Sequence, residues 1–229
     1  MKRSEINRRI RDAEEFFAAC RFLLPPFAFW SPREWAARAG EAEEVKRCGL
    51  GWDLTDFGSG DFDAKGLLLF TLRNGAAGGR EYPKPYAEKI MIVGEDQLTP
   101  LHFHWRKMED IINRGGGSLV LTLYTADERE GLGAGEVTVR CDGVPRRVDA
   151  GGEVVLAPGE SITLPQRLYH SFRGEAGKGR VLAGEVSMVN DDAEDNRFHE
   201  PCGRFPAIEE DEEPYRLLVG DYAAAGKNN

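Results

Sequence analysis

Residues 99–117 read TPLHFHWRKMEDIINRGGG. His102 and His104 are two apart, and in a strand such residues share one face. Two imidazoles so placed can grip one metal ion. Glu109 lies five residues after His104, an odd interval that a straight strand would send to the opposite face. A turn at Arg106-Lys107-Met108 resets the phase and brings Glu109 back from the next strand, and Gly115-Gly116-Gly117 punctuates the end of that strand. Strands and tight turns, not helices, are the grammar here.

The same grammar extends outward. GLLLFTLRNG (66–75), AEKIMIVGED (87–96), SLVLTLYT (118–125), EVTVRCDGV (136–144), RRVDAGGEVVL (146–156), SITLPQRLYHSF (161–172) and RVLAGEVSMVN (180–190) are rich in Val, Ile, Leu, Thr or aromatics. Asn74-Gly75, Asp142-Gly143, Gly151-Gly152 and Pro158-Gly159 separate them. Many short strands with regular turns specify a mainly β chain, as a sandwich, jelly roll or barrel. The N-terminal part differs. Ile6, Ile10, Ala13, Phe16 or Phe17, and Cys20 recur at helical spacing, with Ser4 placed to cap the start. Pro25-Pro26 stops that helix, and Ser31, Pro32 and Glu34 restart one with a capping box. Phe27, Phe29, Trp30 and Trp35 read as anchors packing this arm on a larger body. One domain is expected: a helical arm over about 1–57, a β core over about 66–190 and an irregular extension over about 191–229.

Composition narrows the function. The 229 residues are 41% hydrophobic and 30% charged, which is globular rather than disordered. The net charge is −9, and an acidic protein repels phosphate backbones, so nucleic acid is not an expected partner. Most of that charge is local, with ten acids against Arg197 and Arg204 between Asn190 and Pro214, a segment that reads as rim, lid or solubilising surface. No run approaches the roughly 20 apolar residues of a membrane helix, and MKRSEINRRIRDAEEFF lacks the apolar core of a signal peptide. Cys20, Cys48, Cys141 and Cys202 are scattered, as suits thiols in a reducing cytoplasm. The aromatic arm offers apolar area for a homodimer.

Histidine is scarce, with four in the chain. His170, at the end of SITLPQRLYH, can return on an adjacent strand to the spot defined by His102, His104 and Glu109. A three-imidazole, one-carboxylate set suits Mn, Fe, Co, Ni or Zn with positions left for substrate. His199 is left as a surface group in the acidic segment.

HFHWRKME, Gly116 seven residues past Glu109, and PGESITLPQRLYH resemble the two metal-binding motifs of the cupin superfamily. Three positions depart from them. Asp96 stands where a Gly precedes the first His, Arg167 replaces the Gly of Pro-x-Gly, and Gly174 stands where an Asn is common. Along nearly the whole chain, MKRSEIN, LPPFAFWSP, GWDLTDFGSGDF, YPKPYAEKIMIV, HFHWRKMEDIINRGGG, GEVSMVNDD, DNRF and GRFP resemble the D-lyxose isomerase family of cupins. The resemblance implies a cupin jelly-roll barrel that interconverts D-lyxose with D-xylulose, and often D-mannose with D-fructose. It also implies a divalent metal, typically Mn2+, on His102, His104, Glu109 and His170.

Such a reaction moves a hydrogen between C1 and C2 and a proton between O1 and O2. It calls for a general base, and His102, His104 and His170 are already taken as ligands. GEVSMVN places Glu185 in a strand lining the barrel. In AEKIMIV only one of Glu88 and Lys89 can face inward. A charge inside a barrel is costly unless paired or functional, so Glu185 is expected as base and Lys89 as proton donor or oxyanion stabiliser. Asp191 and Arg197, beyond the last strand, are expected to close over the mouth and bind sugar hydroxyls. A metal-dependent cupin dioxygenase and a non-catalytic sugar-binding cupin are the rival readings.

Overall fold

Ile6, Ile10, Ala13 and Phe17 are buried along one face of helix α1 (Arg3–Ala19). They pack on Trp52, Leu54, Leu68, Phe70, Ile90 and Leu182, the outer face of a β-sheet. The computed structural model describes residues 1–38, 40–76, 81–191, 194–203 and 206–222. Asp192, Arg204 and the AAAGKNN end lie outside the described residues. Helices α2 (Pro32–Ala37) and α3 (Glu43–Arg47) complete the arm. The Ser31–Glu34 capping box forms as expected: Glu34 N–H donates to Ser31 Oγ, and Ser31 N–H to Glu34 Oε2. Ser4 does not cap α1. The N-cap is Lys2, and Ser4 N–H and Oγ–H both donate to Asp211, at 2.9 and 2.8 Å.

The strands are β1 (Gly51–Thr55), β2 (Leu67–Arg73), β3 (Tyr86–Val93), β4 (Thr99–Phe103), β5 (Glu109–Gly116), β6 (Leu119–Thr125), β7 (Val137–Cys141), β8 (Val144–Val148), β9 (Glu153–Leu156), β10 (Ser161–Leu164), β11 (Leu168–Gly174), β12 (Val181–Met188) and β13 (Arg197–Phe198). They form two antiparallel sheets. The larger runs β1-β2-β3-β12-β5-β10-β7-β8, and the smaller β13-β4-β11-β6-β9. Their inner faces share one core, with Met91, Val93, Ile111, Ile162, Val181 and Ala183 from the first and Leu121, Leu123, Leu156, Leu168 and Phe172 from the second. This is the cupin-like double-sheet architecture.

Several boundaries differ from the sequence reading. β1 falls inside the stretch expected to be a helical arm, because Trp52 and Leu54 alternate with half-buried residues and bury against α1. SITLPQRLYHSF is two strands in different sheets, broken at Pro165-Gln166-Arg167. Asn74 marks no tight hairpin. Its buried amide donates to Cys48 O and Asn190 O, and a longer connection leads to β3. Asp142-Gly143 does make the two-residue turn, with both φ positive (51° and 81°) and Cys141 opposite Val144. The aromatic arm is used on this chain's own body: Trp35 is buried against Trp30 and Tyr222, and Phe27 packs on Phe70.

Two departures from the cupin motifs leave the backbone of those motifs in place. Asp96 (φ 53°) and Arg167 (φ 60°) both hold the left-handed conformation that favours glycine. Arg167 N–H donates to His104 O at 2.8 Å, tying the two motifs together.

The acidic extension divides in two. Glu210, Asp211, Glu212 and Asp221 clasp the start of α1. The buried Arg3 guanidinium donates to Glu210 and Asp221, and Asn7 to Glu212. Acids beside a helix N-terminus also meet its partial positive charge. Residues 194–203 lie instead against β4 and the cavity between the sheets.

Candidate functional site

Inner-face parity places the charged residues. On β3, Lys89 shares a face with Met91 and Val93, while Glu88 faces outward to Arg73. On β12, Glu185 continues the inner face of Val181 and Ala183. β3 and β12 pair so that Lys89 and Glu185 are directly opposite. β4 and β11 set His170 opposite His102. The turn after His104 returns the chain as β5, which begins with Glu109.

The three imidazoles are buried, and their ligand nitrogens lie within 4.8 Å of one another. Each ring has its Nδ1 against a backbone carbonyl: His102 on Pro100 O at 2.7 Å, His170 on Leu168 O at 3.0 Å, and His104 on Asp195 O at 2.9 Å. A carbonyl can only accept, so each Nδ1 carries the proton and each Nε2 presents a lone pair. Glu109 Oε1 lies 3.4 Å from His104 Nε2 and 3.0 Å from His170 Nε2. His170 Nε2 is buried without a hydrogen-bond partner. Burial above all holds the His102 imidazole well below its usual pKa and therefore neutral. Lone pairs facing a carboxylate repel unless a cation stands among them. The three imidazoles could hold a divalent ion of the Mn, Fe, Co, Ni or Zn type, with the Glu109 carboxylate beside two of them.

Lys107 is the residue the sequence reading passed over as part of a turn. It is 3% exposed, and its Nζ sits 2.7 Å from Glu109 Oε2 and 2.8 Å from Glu185 Oε1. Lys89 Nζ lies 3.7 Å from Glu185 Oε2 and donates to Asn190 Oδ1 at 2.7 Å. Ser187 Oγ donates to Glu185 Oε1 at 2.9 Å. Burial alone would raise the Glu185 carboxyl, but Lys107 and Lys89 outweigh it and hold the group below the usual carboxylate range. Glu109 is held well below that range in the same way, against its burial, chiefly by Lys107. Nothing in the sequence beyond its place in the turn two residues before Glu109 points to Lys107.

These groups line a cavity of about 330 Å³ between the sheets. Its wall includes Asp53, Thr55, Leu69, Asn196 and Phe198. Asp191 and Arg197, expected to bind sugar, do not line it. Arg197 turns to Glu130 and to Phe198 O. Asp191 lies 3.8 Å from Arg106 and accepts from Glu194 N–H and Asp195 N–H. Because side chains alternate along β13, Phe198 faces the cavity where Arg197 does not. His199 stands against Tyr169, apart from the three imidazoles. No helix among the described residues is long and apolar enough to cross a membrane.

The known proteins that this chain resembles are sugar isomerases. A family model described as D-lyxose isomerase matches residues 1–222. A D-lyxose/D-mannose isomerase of Serratia proteamaculans is 54% identical over 223 residues, spanning 97% of this chain and 98% of the relative. One from Escherichia coli O157:H7 is 52% identical over the same shares. Among solved structures, the ligand-free L-ribose isomerase of Cellulomonas parahominis superposes with a TM-score of 0.61 at 18% identity, over 91% of this chain and 98% of that one. An L-ribose isomerase variant of Acinetobacter sp. DL28, in complex with L-ribose, gives 0.61 at 16% identity over the same shares. At such identities these two structures speak for the fold.

Proposed function

The chain belongs to the D-lyxose isomerase family and is an aldose–ketose isomerase; from that premise we propose that it interconverts D-lyxose with D-xylulose and D-mannose with D-fructose. The observation that carries the chemistry is the convergence of three Nε2 lone pairs and Glu109 beside an ionised, lysine-held Glu185. His102, His104, Glu109 and His170 would hold a divalent cation, Mn2+ by the family resemblance. Bound there, it supplies a Lewis acid for the negative charge that develops on the sugar oxygens, worth several kcal/mol.

The protein's own groups move the protons. Glu185 Oε1 is occupied by Lys107 and Ser187, which leaves Oε2 to take the C2 proton and return it to C1 by way of a cis-enediol. Lys89, beside that oxygen, donates to O1 as charge develops there and recovers a proton from the O2 hydroxyl as the ketone forms. Lys107 keeps Glu185 and Glu109 both ionised although both are buried. The apolar wall of Phe57, Leu69, Met91 and Phe198 excludes water while the carbon acid is ionised. A cytoplasmic location, on the scattered free cysteines, and a homodimer complete the reading.

The test is NMR of D-lyxose, D-mannose and D-xylose incubated with the enzyme in D2O. D-lyxose and D-mannose are expected to be converted with deuterium entering at the exchanged carbon. Conversion of neither sugar refutes the substrate assignment, and conversion without any deuterium together with wild-type turnover in Glu185→Gln refutes Glu185 proton transfer in favour of a hydride shift.

A further inference from the structure

His102 and His170 find their Nδ1 partners on their own strands, each two residues back. His104 does not: its partner is Asp195 O, 91 residues downstream. We propose that Asp195 is a positioning residue for the metal-binding turn, holding His104 and the Arg106-Lys107 backbone from the irregular segment beyond β12. The proposal rests on reading the three histidines and Glu109 as metal ligands.

Asp195 is 3% exposed. Its Oδ1 accepts from Arg106 N–H and its Oδ2 from Lys107 N–H, both at 2.9 Å. Two carboxylate oxygens on two consecutive amides fix the orientation of that peptide unit as one oxygen cannot. Arg106 Nε, 3.5 Å from Oδ1, adds a compensating charge. Asp195 N–H in turn donates to Asp191 O, which anchors the residue in its own loop. One buried residue therefore fixes the tautomer of His104, aims Lys107 at Glu109 and Glu185, and sets the phase with which Glu109 begins β5. The adjoining Asn196 and Phe198 line the cavity, so the same segment builds the sugar-facing wall and braces the ion site.

The test is titration of Co2+ into metal-free wild type, Asp195→Asn and Asp195→Ala, monitored by visible absorption, with thermal melting alongside. Both substitutions keep the Asp195 backbone carbonyl that accepts from His104; they remove the carboxylate pairing that orients the turn carrying that ligand, a loss of outer support that typically weakens metal binding about 10–100-fold. Asp195→Ala is expected to fall in that range with an altered cobalt spectrum. Asp195→Asn keeps the shape but sets its NH2 against one amide N–H, so it is expected to weaken binding as well, and it carries the test should the alanine variant not fold. Wild-type Co2+ affinity and spectrum in the folded variants, even with a lowered melting temperature, overturn the proposal and leave Asp195 a structural residue only. Failure of the wild type itself to bind Co2+ overturns the ligand assignment, and this inference with it.

Discussion

Glu185→Gln is expected to lower turnover of D-lyxose by about 10²–10⁴-fold while the metal content stays at the wild-type level. The carboxylate sits on β12 opposite Lys89, 5% exposed, with Lys107 and Ser187 on Oε1. Glutamine has the same shape and can still accept from Lys107, so the cavity is kept. It cannot take up a proton from carbon. Lys107 remains paired with Glu109, and Lys89 with Asn190, so neither buried ammonium is left without an acceptor and the fold is expected to persist. Steady-state kinetics with metal analysis on the same sample checks this. Turnover within a few fold of wild type removes Glu185 from the mechanism, and lost metal relocates its role to the ion site.

His170→Ala is expected to abolish both metal retention and turnover. The ring lies 1% exposed on β11, between β4 and β6 of the smaller sheet. Its Nε2 makes no hydrogen bond within the protein. In the metal-free chain the substitution therefore removes one hydrogen bond, Nδ1–H to Leu168 O, worth about 1 kcal/mol, together with the packing of the ring. In the metal-bound chain it removes a ligand, and the loss should exceed the roughly 10–100-fold that an outer partner costs. Elemental analysis after dialysis, with thermal melting of the apo forms, separates the two effects. A variant that retains one ion per chain contradicts the assignment of His170.

Much of the site was legible because it obeys strand periodicity. His102 and His104 share a face, Glu109 returns through a turn, and Lys89 and Glu185 fall on inner-face positions. The histidine pair and the Lys89 and Glu185 positions come from counting residues along a strand, and the return of Glu109 from the turn that joins two strands. Lys107 was missed because its side chain leaves a turn, where no period says which way it points. Asp195, Asn196 and Phe198 were missed because they come from an irregular segment whose contacts are long-range. The same lack of period explains why Asp191 and Arg197 were expected at the cavity and its neighbours were found there. In the fold, alternation identified the strands but not their sheets. SITLPQRLYHSF reads as one apolar run, yet Arg167 turns it from the larger sheet into the smaller. By composition the acidic segment reads as rim, lid or solubilising surface, since charge alone does not reveal that Arg3, Ser4 and Asn7 of α1 await those carboxylates.

The most direct measurement is back-titration of Mn2+ into metal-free enzyme while D-xylulose formation from D-lyxose is recorded. Three converging imidazoles, with Glu109 beside two of them, predict negligible turnover without metal, rising linearly to a break at one equivalent per chain. Full turnover in the rigorously metal-free protein would contradict the account.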